Sequence, residues 1–286
     1  MKLTMVPLTD TDEGWRALRA ALMIARRFDG HTDAVFVQPH IQVETSEVVP
    51  TVDQQMRVEM VERAREQMAS HIRQAHNTFE EIASVLDVAS GNESLEAKPP
   101  SATWQVQEGL MSDTVHTSAS VYDAVIFAHP IGKAHRDWRP SVEAALFSAG
   151  RPVLVAPSQD TESVGESVLV GWNRSPQSAR AMIGAMPFLQ RANRVEIFSI
   201  TTGAKEGPSP QDAARLLSWH GIAAEVHEIP PEDRPIAETI LAQGQQIGAD
   251  LVVMGAYSHS RFREIILGGV TQHVLRHAEV PVMMAH

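Results

Sequence analysis

The chain of 286 residues has no cysteine. Disulfides, thiol chemistry and cysteine-ligated metal are therefore excluded. It has no excess of positive charge either: Lys and Arg number 24 against 35 Asp and Glu, a net charge of −11. A surface of that sign argues against unspecific binding to nucleic acid or to an anionic membrane. No apolar run approaches the roughly 18 residues of a membrane helix. Residues 1–10, MKLTMVPLTD, hold no stretch long enough for a signal peptide. The expectation is a soluble, cytoplasmic protein with no nucleic-acid or membrane partner. Two catalytic signatures are also missing. There is no Gly-x-Ser-x-Gly nucleophile elbow and no lysine-containing Gly-x4-Gly-Lys phosphate loop.

What is present is a core-forming composition. Apolar residues make up 43% of the chain, enough to bury a core, and the length suggests about two domains. Thirteen histidines invite a metal reading. His71 and His76 lie five apart on a predicted helix, off one another's face, with no third ligand in view. His129 and His135 share a loop and give only a weak hint, so no metal ligand is assigned. Trp104 and Trp219 flank predicted elements and read as core.

Apolar runs alternate with helical periodicity along the whole chain. Strands are expected at 3–8, 34–37, 102–106, 124–128 and 152–156, with helices at 12–28, 112–122 and 141–148. The plan then restarts. Strands are expected at 168–172, 195–200, 223–229, 251–254 and 280–284. Helices are expected at 175–191, where Ser175 caps and Pro176 opens the first turn, and at 210–220, 235–247 and 268–277. Residues 52–86 place Met56, Met60, Ala64, Met68, Ile72, Ala75, Phe79 and Ile82 at steps of three and four. That predicts one long amphipathic helix, read first as a cover for one sheet face and second as a partner-binding arm.

The ends of the two sets resemble each other. YDAVIFA at 122–128 matches ADLVVMG at 249–255, and RPVLVAP at 151–157 matches VPVMMAH at 280–286. The domains expected are therefore 1–158 and 167–286, joined by a polar linker at 159–166. Continuous apolar strands alternating with helices imply an α/β fold. Each of the two tandem, doubly wound domains is expected to hold an open five-stranded, mainly parallel sheet with helices on both faces.

The most informative stretch is 249–286, where an apolar run ends at Gly255, a polar loop follows, and Gly268 and Gly269 open a helical pattern. Strand, loop, glycine-opened helix and strand is the layout of a phosphate-binding crossover. A glycine at 255 lets backbone approach a phosphate, and the helix start offers N–H groups to an anion. His259 and Arg261 add positive charge beside it. The other reading is that these glycines permit a tight turn and close helix–sheet packing.

These residues resemble the universal stress protein family, which carries Gly, two residues, Gly, nine residues, Gly, then Ser or Thr between its last two strands. Gly255 holds the first position, Ser258 stands at the second, Gly268 holds the third, and Gly269 replaces the Ser or Thr. The resemblance implies ATP, or another adenine nucleotide with or without Mg²⁺, as ligand. It also implies pairing of last strands, which in a tandem chain forms an internal pseudo-dimer and leaves room for a homodimer. The implied nucleotide site comprises Asn173, Gly255, Ser258, His259, Gly268, Gly269, Val270 and Thr271. Asn173 stands where nucleotide-binding relatives usually have Asp, so it brings no charge to hold Mg²⁺. Thr271 is a candidate for the hydroxyl that Gly269 lacks. In the first half, Ala128 replaces Gly255, and Arg139 and Pro140 fall at the positions of Gly268 and Gly269. That half is expected to bind no ATP and to be structural.

The function expected is thus a stress-response protein that binds or senses adenine nucleotide through its C-terminal half. A nucleotide-free scaffold, or a binder of another, more apolar small ligand, is the alternative. Slow ATP hydrolysis is the third reading, with His259 as first suspect and Glu264 the only nearby acid.

Overall fold

A computed structural model describes residues 1–38, 54–91, 98–129, 135–200, 206–230, 235–256 and 269–286. In chain order the elements of the first half are β1 (Leu3–Leu8), α1 (Asp12–Phe28), β2 (His31–Gln38), α2 (Gln54–Val85), β3 (Ala89–Gly91), β4 (Ser101–Glu108), α3 (Met111–Ser118), β5 (Ala124–Ala128), α4 (His135–Glu143) and β6 (Val153–Ala156). A 3₁₀ turn (Ala119–Val121) extends α3, and a π-type turn (Ala144–Ser148) extends α4. The second half contains β7 (Ser167–Gly171), α5 (Pro176–Gly184), α6 (Met186–Arg191), β8 (Arg194–Ile200), α7 (Pro210–Trp219), β9 (Glu225–Ile229), α8 (Ile236–Ile247), β10 (Leu251–Gly255), α9 (Gly269–His277) and β11 (Val282–Ala285).

Local chemistry sets the ends of these helices. The Thr11 hydroxyl caps α1 by accepting from the Gly14 N–H. Asp12 and Glu13 occupy its first turn, Arg26 and Arg27 its last, and Asp29 ends it in the left-handed region at φ 47°. In α7, Ser209 and Asp212 form a reciprocal capping box ahead of Pro210. Gly248, at φ 63°, closes α8. The single helix expected at 175–191 is two, α5 and α6, broken at Ala185 immediately before a turn that carries Pro187. The helix expected from 141 begins earlier, at His135, and carries Pro140 inside it. β3 was not foreseen: three residues are too short for a periodicity signal.

All eleven strands form one sheet, in the order β3-β4-β2-β1-β5-β6-β11-β10-β7-β8-β9. Every pairing is parallel except β6 with β11, where Val153, Leu154 and Val155 face Met284, Met283 and Val282. The five-strand order on one side of that seam therefore mirrors that on the other, with β3 added at one edge. Strand alternation sends one set of side chains to each face. Val6, Leu8, Phe36, Ile126, Leu154, Val168, Val170, Leu251, Val253 and Met283 build one core layer. Met5, Val35, Val37, Val125, Phe127, Val153, Leu169, Phe198, Val252, Met254 and Met284 build the other. Both layers cross the seam.

Helices of the two halves also touch. The ring of Phe28 meets Phe188 edge-on at 5.0 Å, and the guanidinium of Arg191 lies 5.0 Å over Phe28. Arg27 donates to the carbonyls of Gly165, at 3.1 Å, and Arg191, at 2.9 Å. Residues 159–166 are anchored as well. Val164 is buried, Ser163 donates to Asp250, and Gly165 (φ 82°) packs so closely on Phe188 that an added Cβ would lie 2.5 Å from its ring.

Among its described side chains, the long helix α2 buries only those of its last turns. Ala75, Phe79, Ile82 and Ala83 are buried, and Phe79 stands 5.4 Å from the ring of Trp104. From Glu59 to Gln74 no residue is buried, and Met60 is 60% exposed. Trp104 is core, as expected, but Trp219 is not. It ends α7 at 80% exposure, because the buried side of that helix is taken by Ala213 and Leu217.

Candidate functional site

In each half the chain leaves the first strand on one side and returns on the other. The winding therefore reverses between β1 and β5 and between β7 and β10. At the carboxyl ends of such strand pairs the loops diverge and leave a crevice, the usual ligand position in open parallel sheets.

In the second half Met254 pairs with Gly171, and Gly255 with Ala285. Asn173 lies two residues beyond β7 and Gly255 ends β10, so the two flank the reversal. Because α9 is the crossover from β10 to β11, Gly269 at its start returns to this same edge. The topology thus puts Asn173, Gly255 and the start of α9, Gly269 to Thr271, at one edge of the sheet. Ser258, His259 and Gly268 lie outside the described residues, as do Arg261 and Glu264.

The local geometry refines each role. The Asn173 side-chain amide oxygen accepts from the Ser175 N–H at 3.2 Å and from its hydroxyl at 2.6 Å, which shapes the turn into α5. Arg174 adopts φ 64° and pairs with Glu228 of β9 at 3.1 Å. The Trp172 indole donates to the carbonyl of Pro208 at 3.0 Å, and Gly207 (φ 115°) sits where a Cβ would meet the Arg174 carbonyl at 2.4 Å. The chain before α7 is thereby laid across the end of β7. A Cβ on Gly255 would lie 2.6 Å from the backbone nitrogen of Ser178 and 2.8 Å from the carbonyl carbon of Gln177. The glycine is thus demanded by close packing of α5 on β10. Gly269 differs: no described atom lies within 4 Å of where its Cβ would be. Thr271 is buried, at 3% exposure.

The first half presents other chemistry at its own reversal. Pro140 stands as far before β6 as Gly269 stands before β11, but it lies inside α4. The first turn of α4 carries Asp137, whose carboxylate accepts from the Met111 N–H at 2.6 Å and so caps α3. The neighbouring Trp138 donates its indole N–H to the Ala128 carbonyl at 2.8 Å. These residues, with the ends of β1, β2 and β5, enclose a cavity of about 410 Å³.

Two polar clusters lie elsewhere. At the amino ends of the strands, the Ser101 hydroxyl is 2.7 Å from His31 Nδ1, and His31 Nε2 is 3.1 Å from Asp33. Thr103 and Tyr122 also donate to Asp33, Tyr122 at 2.7 Å. Burial pushes the Asp33 carboxyl up, but the hydrogen bonds from His31, Thr103 and Tyr122 outweigh it and hold the group below the ordinary carboxylate range. Burial and then Asp33 push the Tyr122 phenol up. The order Ser, His, Asp resembles a hydrolytic triad, but Ser101 is fully buried. No substrate reaches it, and the network is structural.

Among the described residues one group has metal-ligating geometry: Glu196, Glu225 and His227. His227 Nε2 is 3.2 Å from Glu196 and 3.7 Å from Glu225. Arg194, however, sits 2.5 Å from the Glu196 carboxylate and already supplies positive charge there. Sequence reading missed this group because the pairing of β8 with β9 is not visible in either strand alone. His71 and His76 take separate partners, Asp10 and Glu80, each at 3.5 Å.

Comparison with known proteins agrees with the fold. Residues 196–286 match the universal stress protein family. A universal stress protein from Synechocystis sp. is 28% identical over 150 residues, half of this chain, and the match spans about half the length of that relative. A universal stress protein from Archaeoglobus fulgidus superposes with a TM-score of 0.66 at 15% identity, covering 99% of this chain and 97% of the other. A functionally unknown protein from Pseudomonas aeruginosa superposes at 0.55, also at 15% identity, covering 99% and 92%. Residues 196–286 are thus similar to the universal stress protein family, and over 99% of its length the chain shares the fold of a solved universal stress protein.

Proposed function

We propose that this universal stress protein binds an adenine nucleotide, ATP in the first instance, in its C-terminal half and acts as a nucleotide-sensing module. The observation that carries the reading is the start of α9. Gly269 lies at the winding reversal, with open space in place of a side chain, so a phosphate can approach the first N–H groups of the helix and its positive dipole end. Asn173 and Arg174 stand across the crevice at the end of β7. With Asn rather than a carboxylate at 173, any Mg²⁺ is held mainly by the phosphates. The antiparallel seam of β6 and β11 supports the reading that the two halves act as an internal pseudo-dimer.

Titration calorimetry with ATP, with and without Mg²⁺, tests the site on wild type and on Gly269→Asp. The substituted carboxylate fits the open space and suits a helix start, so the fold is retained while phosphate is repelled. Saturable binding that weakens at least about tenfold, the scale of a 1.4 kcal/mol electrostatic change, supports the proposal. No heat at millimolar ATP for wild type overturns it. The scaffold reading would then stand, favoured by the packing of Gly255 against α5 and by the engagement of Asn173 with Ser175.

A further inference from the structure

We propose that the N-terminal half carries a second, chemically different site: a pocket for an uncharged, largely apolar small molecule at the reversal between β1 and β5. Its volume, about 410 Å³, lies within the range of small-ligand sites. Leu8, Val37 and Phe127 from three strand ends form the floor, and Met111 and Trp138 form walls. The wall is fixed rather than adaptable. Trp138 is held by its indole bond to Ala128, and Met111 by its N–H bond to Asp137.

The polar groups on the lining select the ligand's charge. Among the described residues no Lys or Arg contributes to the lining, whereas two carboxylates do, Glu13 and Asp137. Against these described residues a phosphate or carboxylate meets only negative charge. A cation gains little, because Asp137 is spent on the start of α3 and Glu13 lies 4.0 Å from Arg16. The Trp138 N–H is likewise already satisfied. What remains is apolar surface and an aromatic edge, which suits a neutral aromatic or aliphatic body of roughly two fused rings. The pocket opens beside Leu110, a large apolar side chain left 57% exposed at its rim.

The test is fluorescence titration of the full chain with N-phenyl-1-naphthylamine, a neutral probe that brightens on burial, followed by displacement. Saturable binding is expected, with displacement by 1-octanol but not by octanoate. Ala128→Leu, which extends a side chain into the cavity, is expected to weaken binding about tenfold, the effect of a few methylenes in an apolar pocket. Leu110→Ser at the exposed rim is expected to weaken it several-fold with an unchanged circular dichroism spectrum. This second variant keeps the test informative if the first does not fold. Absence of saturable binding, equal displacement by octanoate, or unchanged affinity in Leu110→Ser would overturn the proposal. So would displacement by ATP in the Gly269→Asp background, where the C-terminal site is disabled. The result is independent of whether wild type binds ATP.

Discussion

The two halves share a topology and diverge at one crossover. In the second half the crossover helix starts at Gly269, a residue with open space beside it, on the sheet edge where Asn173 and Arg174 leave β7. In the first half the equivalent helix starts at His135, and its first turn brings Asp137 and Trp138 over the strand ends. The described first turns of the two crossover helices therefore differ in chemistry: Gly269 bears no side chain, whereas Asp137 and Trp138 bring a carboxylate and an indole. In open parallel sheets of this kind the carboxyl ends of the strands are the usual ligand position.

The sharpest way to break the comparison is to ask whether the halves unfold as one. Phe79→Ala removes a fully buried ring from the first half alone and is expected to cost about 3–5 kcal/mol. Since both core layers cross the seam, differential scanning calorimetry should show one transition moved to lower temperature. Two separated transitions would mean that β6 and β11 join independent units. Gly255→Ala probes the second half, where the new Cβ would press on the backbone of α5. A loss of about 1–3 kcal/mol by denaturant titration is expected. Neutral behaviour would show that α5 can move away and that the glycine serves the crevice instead.

A smaller effect separates the halves by pH. Asp33 lies in the first half and ionises more readily when folded than an ordinary carboxylate. Its contribution is present above the unfolded value of about 3.9 and is lost as pH falls through the lower folded value. Asp33→Asn should cost about 1–3 kcal/mol near neutrality and flatten the fall in stability on acidification below about pH 4. An unchanged pH profile would mean that other carboxylates carry the acid sensitivity. The smallest change is expected at Trp219, exposed at the end of α7. Trp219→Ser should stay within about 0.5 kcal/mol, and a larger loss would reveal a contact for that ring.

Much of the architecture was legible in the chain. The alternation of apolar runs with 3.6-residue periodicity marked most of the strands and helices, because local burial patterns need no knowledge of neighbours. Ser175 with Pro176 marked one helix start through backbone N–H groups that a nearby hydroxyl can satisfy. Less legible were the split of α5 from α6, the early start of α4 and the exposure of Trp219. Each depends on what lies opposite in space.

The candidate site divides the same way. The sequence by itself determined an α/β chain, with a glycine-bearing crossover close to its last strand and an acidic, cysteine-free composition. These follow from residue type and short-range spacing. Only the tertiary structure decided that Gly255 is required by α5, that Asp137 and Trp138 wall a cavity in the first half, and that Ser101, His31 and Asp33 form a sealed network. In each case the partner is supplied by another element. The physical reason is that a missing Cβ, a carboxylate or an indole acquires its role from the atoms packed against it, and pairing between distant strands chooses those atoms.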